Sequence, residues 1–448
     1  MRELIGETSQ TSGGPGLDRE ARRNAASRAA ANVCLNGLSR SVSLFLGGRC
    51  NLSCEYCYQR SHRRAGSMNW RTARNALEWL LSSGSSLISV EFNGGEPLLE
   101  MATLRRAVEF VEANRPPGTR VAYSVTTNGT LLTPEILAFL FEHGFTISIS
   151  FDGVEAAQRK RGEGTFEVLD RLIEQLREEH APQLAPHVKI LLTLVASTIP
   201  YFAESVRYLL GKGVQAIDIA PRLTPDPDWH PSCREDLERT MDEIVRLSLD
   251  HWRRTGTVPV SFLAGARPPD ASASAGEFLC SVSAATSLSV DPDGRGWACP
   301  VFASSLQELA PLAREASRAL DLGEISAPSF SGRVAGLPMR VRKLRLFTNR
   351  LAKRSSYGAC ADCSFVKECH ICPGSISHNP TNRDPDLVPE FICAFNFVAR
   401  TARKRFDEMT DGEISAAWQR RVDKAICALK EAVEVSVRKG AANAAQKR

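Results

Sequence analysis

One cysteine-rich stretch, GRCNLSCEYCY at residues 48–58, carries the strongest information about the fold. It directly follows Ser41–Leu46, whose alternation of polar and apolar residues predicts a β-strand. Tyr56 precedes the last of its three cysteines, which are Cys50, Cys54 and Cys57. Three thiolates on one loop can hold three corners of a 4Fe–4S cluster and leave the fourth iron open to a small molecule. The alternative is a structural zinc or iron–sulfur loop, because C-x2-C pairs also occur in zinc sites.

The overall composition excludes several classes of protein. The chain has 448 residues, 43% of them apolar and 24% charged, which excludes wholesale disorder. Its net charge of +5, from 56 basic and 51 acidic residues, is too balanced to indicate a nucleic-acid partner. It has no apolar run of membrane-spanning length and no apolar segment typical of a secretory signal. We therefore expect a cytoplasmic protein without membrane or nucleic-acid partners. Ten of its 13 cysteines fall in two groups, and we expect these to bind metal rather than form disulfides.

Strand and helix patterns alternate from Ser41 to Gly213. The predicted strands are Ser41–Leu46, Leu87–Phe92, Val121–Val125, Phe145–Ser150, Val188–Val195 and Val214–Ala220. Helical spacing separates them, and Thr133-Pro134-Glu135 has the residue types of a helix N-terminus. Six strand–helix units in sequence predict an α/β fold of parallel strands with right-handed crossovers, curled into a full or partial TIM-like barrel.

Three further segments lie at the ends of predicted strands. They are Gly94-Gly95-Glu96-Pro97, Thr127-Asn128-Gly129-Thr130 and Ser150-Phe151-Asp152-Gly153, the last followed by Arg161. Together with the cysteine loop they resemble radical S-adenosylmethionine (SAM) enzymes, and the resemblance implies a partial (β/α)6 barrel with its site at the carboxyl ends of the strands. It assigns the Gly-Gly-Glu segment to the methionine amino group of SAM. The cofactor-binding residues that it implies are Tyr56, Gly94, Gly95, Glu96, Asn128, Ser150 and Arg161.

Three of these residues also have a non-functional interpretation. Glu96 would otherwise be a solvated loop acid, and Asn128 a turn residue ahead of Gly129. Arg161 ends a charged run, Arg159-Lys160-Arg161, of a kind that is usually solvated.

A second group of cysteines occupies the C-terminal half. Its members are Cys280, Cys299, Cys360, Cys363, Cys369, Cys372 and Cys393. Their order resembles the SPASM extension of peptide-modifying radical SAM enzymes, which holds two auxiliary iron–sulfur clusters, although the gap before Cys372 is one residue shorter than in the family pattern. The alternative is one or two zinc sites in a zinc-ribbon-like module.

The family pattern divides the second group between two clusters. It implies a distal cluster on Cys360, Cys363, Cys369 and Cys393. It implies a cluster nearer the barrel on Cys280, Cys299 and Cys372. Thr286 stands where some members supply a further cysteine, so the fourth ligand of the nearer cluster is open, with Asp291, Asp293, Cys34 or water as candidates.

The expected organisation has four parts. They are a flexible arm (1–38), the radical SAM core (39–264), a small cysteine-rich SPASM domain (277–396) and a C-terminal helical segment with a tail (397–448). A linker at 265–276 precedes the SPASM domain, and Cys34, Cys233 and Cys427 are interpreted as small apolar fillers. One basic stretch has two interpretations, a solvated helix face or a receptor for an acidic peptide leader. Its residues are Arg340, Arg342, Lys343, Arg345, Arg350, Lys353 and Arg354.

The resemblance implies a reaction in which reductive cleavage of SAM gives a 5′-deoxyadenosyl radical that removes a substrate hydrogen. The implied product is a thioether or C–C cross-link, or another oxidation, in a ribosomally made precursor peptide. The implied partners are an electron donor such as flavodoxin or ferredoxin and a separate leader-binding protein. No catalytic base is identified.

Two other functions remain open at this stage. One is a sulfatase-maturing enzyme, for which the resemblance implies a basic Asp after Cys299, where this chain has Pro300. The other is a non-catalytic iron–sulfur electron carrier or zinc-binding protein.

Overall fold

The computed structural model describes residues 39–59, 66–264, 280, 282, 285–369 and 371–414. The predicted N-terminal arm, the linker at 265–276 and most of the C-terminal tail lie outside these residues, as do Cys34 and Cys427.

A nine-stranded sheet forms the centre of the molecule, with the strand order β6-β5-β4-β3-β2-β1-β7-β8-β9. Its strands are β1 (Ser39–Phe45), β2 (Leu87–Asn93), β3 (Arg120–Thr127), β4 (Thr146–Ser150), β5 (Val188–Leu194), β6 (Ile217–Pro221), β7 (Ser287–Val290), β8 (Arg295–Trp297) and β9 (Asp321–Glu324). β1 to β6 pair in parallel and in consecutive order. β6 and β9 are the edge strands, so the barrel is partial, which confirms the predicted α/β architecture.

Helices follow most of the parallel strands and provide the crossovers. Those of the barrel half are α1 (Trp70–Leu81), α2 (Met101–Asn114), α3 (Pro134–Glu142), α4 (Glu155–Gln158), α5 (Thr165–Glu179), α6 (Ala181–His187), α7 (Phe202–Gly211) and α8 (Cys233–Thr255). Those of the C-terminal half are α9 (Pro311–Leu320), α10 (Phe330–Ala335), α11 (Leu337–Arg342), α12 (Pro373–Ser377) and α13 (Glu390–Met409). A short ribbon, β10 (Arg354–Ser355) and β11 (Gly358–Ala359), lies beside them. No helix within the described residues is long and apolar enough to cross a membrane.

Local chemistry explains where these elements begin. The Asn69 side chain accepts a hydrogen bond from the Thr72 N–H and caps α1. The Thr133 side chain caps α3 as its sequence predicts, with Pro134 at the first helical position. Burial alternates along β2 and β5, as period-two strands on a packed sheet require.

Two of the boundaries that differ from the sequence prediction have a clear local cause. β6 begins at Ile217 rather than at residue 214, because the Val214 N–H bonds the Leu209 carbonyl at the end of α7. α13 begins at Glu390 rather than near residue 397, because Pro389 has the extended backbone of a helix N-cap. The earlier start places Cys393 on the helix.

The sheet continues from the barrel into the cysteine-rich half. β1 pairs with β2 on one side and in parallel with β7 on the other, and β7, β8 and β9 then pair antiparallel. The strands that precede Cys299 are thus hydrogen-bonded to the strand that precedes the first cysteine loop.

Candidate active site and auxiliary metal sites

The first cysteine loop leaves the carboxyl end of β1 and gathers its three thiols. The Cys57 N–H donates to the Cys54 carbonyl at 3.3 Å, and the Leu52 N–H donates to Cys50 Sγ at 3.4 Å. Burial raises the pKa of Cys54, the Arg161 guanidinium lowers it, and the thiolates of Cys57 and Cys50 raise it further. The thiols therefore lie close enough to interact electrostatically, without any disulfide among them.

The Gly94–Gly95 pair packs against the backbone that leads into this loop. Gly95 N–H donates to the Gly47 carbonyl at 2.9 Å, and Glu96 N–H donates to the Arg49 carbonyl at 2.8 Å. A Cβ on Gly94, whose φ is +148°, would lie 2.6 Å from the Gly47 oxygen, and one on Gly95 would lie 2.2 Å from the Arg49 oxygen. Glycine is required here because no side chain fits between the two backbones.

Glu96 is a buried connector of strand ends rather than a solvated acid, since its exposed fraction is 2%. Its carboxylate accepts hydrogen bonds from the Leu98 N–H at 3.1 Å, the Thr127 hydroxyl at 2.7 Å and the Asn128 N–H at 2.7 Å. Burial raises the pKa of Glu96, and these three hydrogen bonds offset part of that rise. The carboxylate thereby joins the ends of β2 and β3.

Asn128 reaches the cysteine loop, which a simple turn residue would not do. Its Nδ2 lies 2.8 Å from Asn51 Oδ1 and 3.9 Å from Cys50 Sγ. Its Oδ1 accepts from the Thr130 N–H and from the Thr130 hydroxyl. The end of β3 is therefore attached to the loop by side-chain hydrogen bonds.

An ion pair between Asp152 and Arg161 holds Tyr56. Arg161 is buried, not solvated, and its guanidinium donates to Asp152 Oδ1 at 2.8 Å while it lies 5.3 Å from the Tyr56 ring centre. The Tyr56 hydroxyl donates to Asp152 Oδ2, and the Thr193 N–H donates to Oδ1 at 2.9 Å. Burial lowers the pKa of Arg161, but Asp152, Tyr56 and Cys54 together raise it by more, so the guanidinium stays charged.

Asp152 is a residue that the sequence analysis quoted but did not select. It lies two residues beyond the end of β4, and Ser150 lies at that end, opposite Leu191 of β5. Ser150 is placed by its backbone pairing alone. The other predicted cofactor residues either contact the cysteine loop or belong to a hydrogen-bond network that does.

The thiols assigned to the nearer auxiliary cluster also lie together. Burial raises the pKa of Cys299, and the thiolates of Cys372 and Cys280 raise it further. Backbone N–H groups act in the opposite direction, those of Val301 and Phe302 on Cys299 and those of Gly374 and Ser375 on Cys372. Each thiol thus begins a turn whose amides face its sulfur, as in sites for thiolate-bound metal.

Asp291, one candidate for the fourth ligand of this set, makes hydrogen bonds to other groups. Asp291 is fully buried and accepts from Trp297 Nε1 at 2.9 Å, from the Ser305 hydroxyl and from the amides of Asp293 and Arg295. Its carboxylate thus closes the β7–β8 turn. Thr286 precedes β7, where its carbonyl accepts from the Ser41 N–H.

Tyr58, the last residue of the first loop, is influenced by thiols of both sets. Burial raises the pKa of its phenol, and the thiolates of Cys57, Cys299 and Cys372 raise it further.

The four distal thiols line one cavity of about 600 Å³. They are Cys360, Cys363, Cys369 and Cys393. Burial and the neighbouring thiolates raise the pKa of Cys360 to about 11 and that of Cys369 to about 12. The Ser355 hydroxyl donates to Cys393 Sγ at 3.1 Å.

Comparison with known proteins agrees with this geometry. The family model for the radical SAM superfamily matches residues 44–208, which include the first cysteine loop and the ends of β2, β3 and β4. An uncharacterised protein of Methanocaldococcus jannaschii is 31% identical over 203 residues, covering 44% of this chain and 68% of that protein. The chain belongs to the radical SAM superfamily.

More distant relatives include radical SAM enzymes with assigned reactions. A serine-type anaerobic sulfatase-maturating enzyme of Klebsiella aerogenes is 24% identical over 57% of this chain and 64% of its own length. The radical SAM cyclopropyl synthase TigE of Paramaledivibacter caminithermalis is 23% identical over 47% of this chain and 46% of its own length. The matches thus span about half to two thirds of these relatives.

Solved structures show the same fold over most of the chain. anSMEcpe with bound AdoMet covers 83% of this chain and 99% of its own, with a TM-score of 0.63 and 17% identity. Streptococcus suis SuiB bound to its precursor peptide SuiA covers 87% and 84%, with a TM-score of 0.52 and 13% identity.

The donor sets of this radical SAM protein fit iron–sulfur clusters. The four distal thiols line one cavity, a shape suited to a polynuclear cluster. Adjacent thiolates also repel one another, and the positive charge of iron would allow them to ionise together.

Proposed function

We propose that this protein is a peptide-modifying radical SAM enzyme with two auxiliary iron–sulfur clusters. When bound, its cofactors supply reductive cleavage of SAM to methionine and a 5′-deoxyadenosyl radical, which removes a hydrogen from an unactivated carbon. The product is an oxidised or cross-linked peptide, joined by a thioether or C–C bond. The observation that carries the proposal is the grouping of ten cysteines into three separate thiol sets, two of which share Tyr58.

In this proposal the loop thiols hold three irons of one 4Fe–4S cluster, and SAM occupies the fourth. Asn128 and the Asp152–Arg161 pair fix the loop on the barrel, and Asn128 and Arg161 are also proposed to contact SAM. The other proposed SAM contacts are the backbone around Gly94 and Gly95 and the side chains of Tyr56, Glu96 and Ser150. These residues lie at the strand ends where such barrels place their sites.

The substrate class rests on the relatives. SuiB is known with a bound precursor peptide and anSMEcpe with a bound peptide. A ribosomally made precursor peptide is therefore the proposed substrate. Flavodoxin or ferredoxin is the proposed electron donor, and a separate protein is proposed to bind the leader.

Sulfatase maturation is the second candidate, since the chain matches sulfatase-maturating enzymes. The position after Cys299 argues against it, because the resemblance expects a basic Asp there and this chain has Pro300. In the structure, the Gln307 side-chain amide donates a hydrogen bond to the Pro300 carbonyl at 3.1 Å. We therefore favour modification of another peptide.

A first experiment tests SAM cleavage. The protein is reconstituted anaerobically with iron and sulfide, and 5′-deoxyadenosine is measured with SAM and dithionite. We expect formation by wild type and none by Cys50→Ala. Cys233→Ala is the matched control, because Cys233 is buried at the start of α8 and belongs to no thiol set. Absence of 5′-deoxyadenosine from the reconstituted wild type would instead favour an electron carrier.

A second experiment tests the substrate class. Short open reading frames beside the gene are co-expressed with the enzyme, and the peptides are analysed by mass spectrometry. Loss of two hydrogens, absent with Cys50→Ala, would support a cross-link or related oxidation. A sulfatase-derived peptide converted to formylglycine, with neighbouring peptides untouched, would favour the second candidate.

A further inference from the structure

The basic stretch between residues 340 and 354 divides into exposed and buried residues. Its exposed members are Arg342, Lys343, Arg345 and Arg354, as a solvated face predicts. Arg345 pairs with Asp386, and Arg354 pairs with Asp384. Arg350, by contrast, is only 8% exposed, and Lys353 is fully buried. These two buried cations need a different explanation.

Arg350 is part of the cavity wall formed with the distal cysteines. Its Nη1 donates to the Val366 carbonyl at 2.8 Å and to the Cys369 carbonyl at 2.7 Å. These bonds attach the guanidinium to the turn that runs from Cys363 to Cys369. Arg350 therefore places a positive charge in the wall of the cavity that the distal thiols line.

Lys353 is a less suitable source of positive charge at this site. Its Nζ lies 2.8 Å from Asp386 Oδ1, and both side chains are fully buried, so the pair adds little net charge. The Lys353 carbonyl accepts from the Cys360 N–H at 2.8 Å, which makes the residue a support for the loop. Removing Lys353 would leave Asp386 buried beside a single remaining cation, a costly change.

Arg234 offers a natural comparison. It lines the same cavity, but it pairs with Glu238 at 2.9 Å and its side chain is 30% exposed. It also lies over the rings of Tyr357 and Phe397, 5.0 and 5.1 Å from their centres. Because Arg234 is more exposed than Arg350, solvent screens its charge more.

We propose that Arg350 is a tuning residue that raises the reduction potential of the iron–sulfur cluster on the distal thiol set. The inference rests on the proposed function, because it requires that set to hold a cluster. Reduction adds one electron, and hence one negative charge, to the cluster. A buried guanidinium in the cavity wall stabilises the reduced state more than the oxidised state. The distal cluster then becomes the favoured final acceptor of the electron that leaves the substrate.

The test measures midpoint potentials rather than turnover. The full chain carries alanine at all three cysteines of the first loop, so that only auxiliary clusters contribute. The reconstituted protein is titrated with dithionite and followed by EPR, and the distal signal is the one lost when Cys363→Ala is added. Arg350→Gln, Arg350→Lys and Arg234→Gln are compared in this background.

We expect Arg350→Gln to shift the distal midpoint to more negative potential and to leave the nearer cluster unchanged. Arg350→Lys keeps the charge and should stay near the parent value, and Arg234→Gln should shift it less. An unchanged distal potential in Arg350→Gln would overturn the inference while leaving the clusters established.

Two further outcomes are decisive. If Arg350→Gln loses the distal iron, the midpoint potential of Arg350→Lys decides. A clear negative shift of that potential, although the charge is retained, would show that Arg350 acts only as a structural hydrogen-bond donor. If the variant without the three first-loop cysteines carries no iron, the proposal of auxiliary clusters is refuted, and this inference is refuted with it.

Discussion

Substitution of Gly95 by alanine should disable the SAM site by moving the backbone beneath it. The added Cβ would lie 2.2 Å from the Arg49 oxygen, 2.6 Å from the Arg49 carbonyl carbon and 2.7 Å from the Gly48 oxygen. All three neighbours are backbone atoms, so no side chain can rotate away. Relief requires a shift of roughly 1 Å in the segment that enters Cys50, and a misplacement of that size can cost about 100-fold in rate.

The same substitution should cost stability in a limited way. Overpacking a tight site typically costs about 1–3 kcal/mol. The strained segment belongs to the first loop and not to the auxiliary sites. We therefore expect a folded protein with its auxiliary iron and about 100-fold slower formation of 5′-deoxyadenosine.

Iron content, EPR of the SAM-binding cluster and 5′-deoxyadenosine rates measure this effect. Gly211→Ala is the matched control, because a Cβ at Gly211 meets nothing within 4 Å at the end of α7. It should be neutral or stabilise the helix by up to about 1 kcal/mol. Gly95→Ala with the iron content and rate of Gly211→Ala would show that the close approach does not position the loop.

Three further predictions concern the other parts of the site. The triple alanine variant of the first loop should stay brown and retain up to about eight irons of the twelve expected for three 4Fe–4S clusters, whereas stoichiometric zinc would contradict the auxiliary clusters. Asp152→Asn should lower the free energy of unfolding by about 3–5 kcal/mol, because it leaves Arg161 buried without its partner. Asp170→Asn, in the partly exposed Asp170–Lys212 pair, is the control and should lower it by about 0–1 kcal/mol. Equal denaturation midpoints for the two variants would refute the predicted difference. A cysteine-containing substrate peptide should change the EPR spectrum of the cluster on the nearer thiol set if its fourth iron binds the peptide, and an unchanged spectrum during turnover would argue for a closed site.

The barrel was predictable because its strands obey simple patterns. β2 to β5 begin and end within about two residues of their predicted bounds, since alternating burial and flanking turns define them locally. The cysteine sets were also accessible through their spacing. The four thiols that the family pattern assigns to the distal cluster line one cavity, while the assignment of both clusters stays a prediction.

Buried charges were harder to predict from sequence. Arg159, Lys160 and Arg161 form one charged run, yet Arg159 pairs with Glu155 and Lys160 with Glu55 at the surface, while only Arg161 turns inward to Asp152. Consecutive residues of a turn face different directions, so composition cannot tell which one is buried. The same difficulty hid Arg350 and Lys353, because the hydrogen-bond partners of their side chains lie 8 to 33 positions away along the chain.

The position of β1 sets the relation between the SAM site and the nearer auxiliary site. Its Val42 and Leu44 register with Val90 and Phe92 of β2 on one side and with Leu288 and Val290 of β7 on the other. The first cysteine loop leaves the end of β1, and Cys299 follows β8, which pairs with β7. Paired strands therefore connect the two thiol groups through β1, β7 and β8. Because the segment between β8 and the distal thiols takes no part in these pairings, its length can vary without changing the register that places Cys299 relative to the first loop.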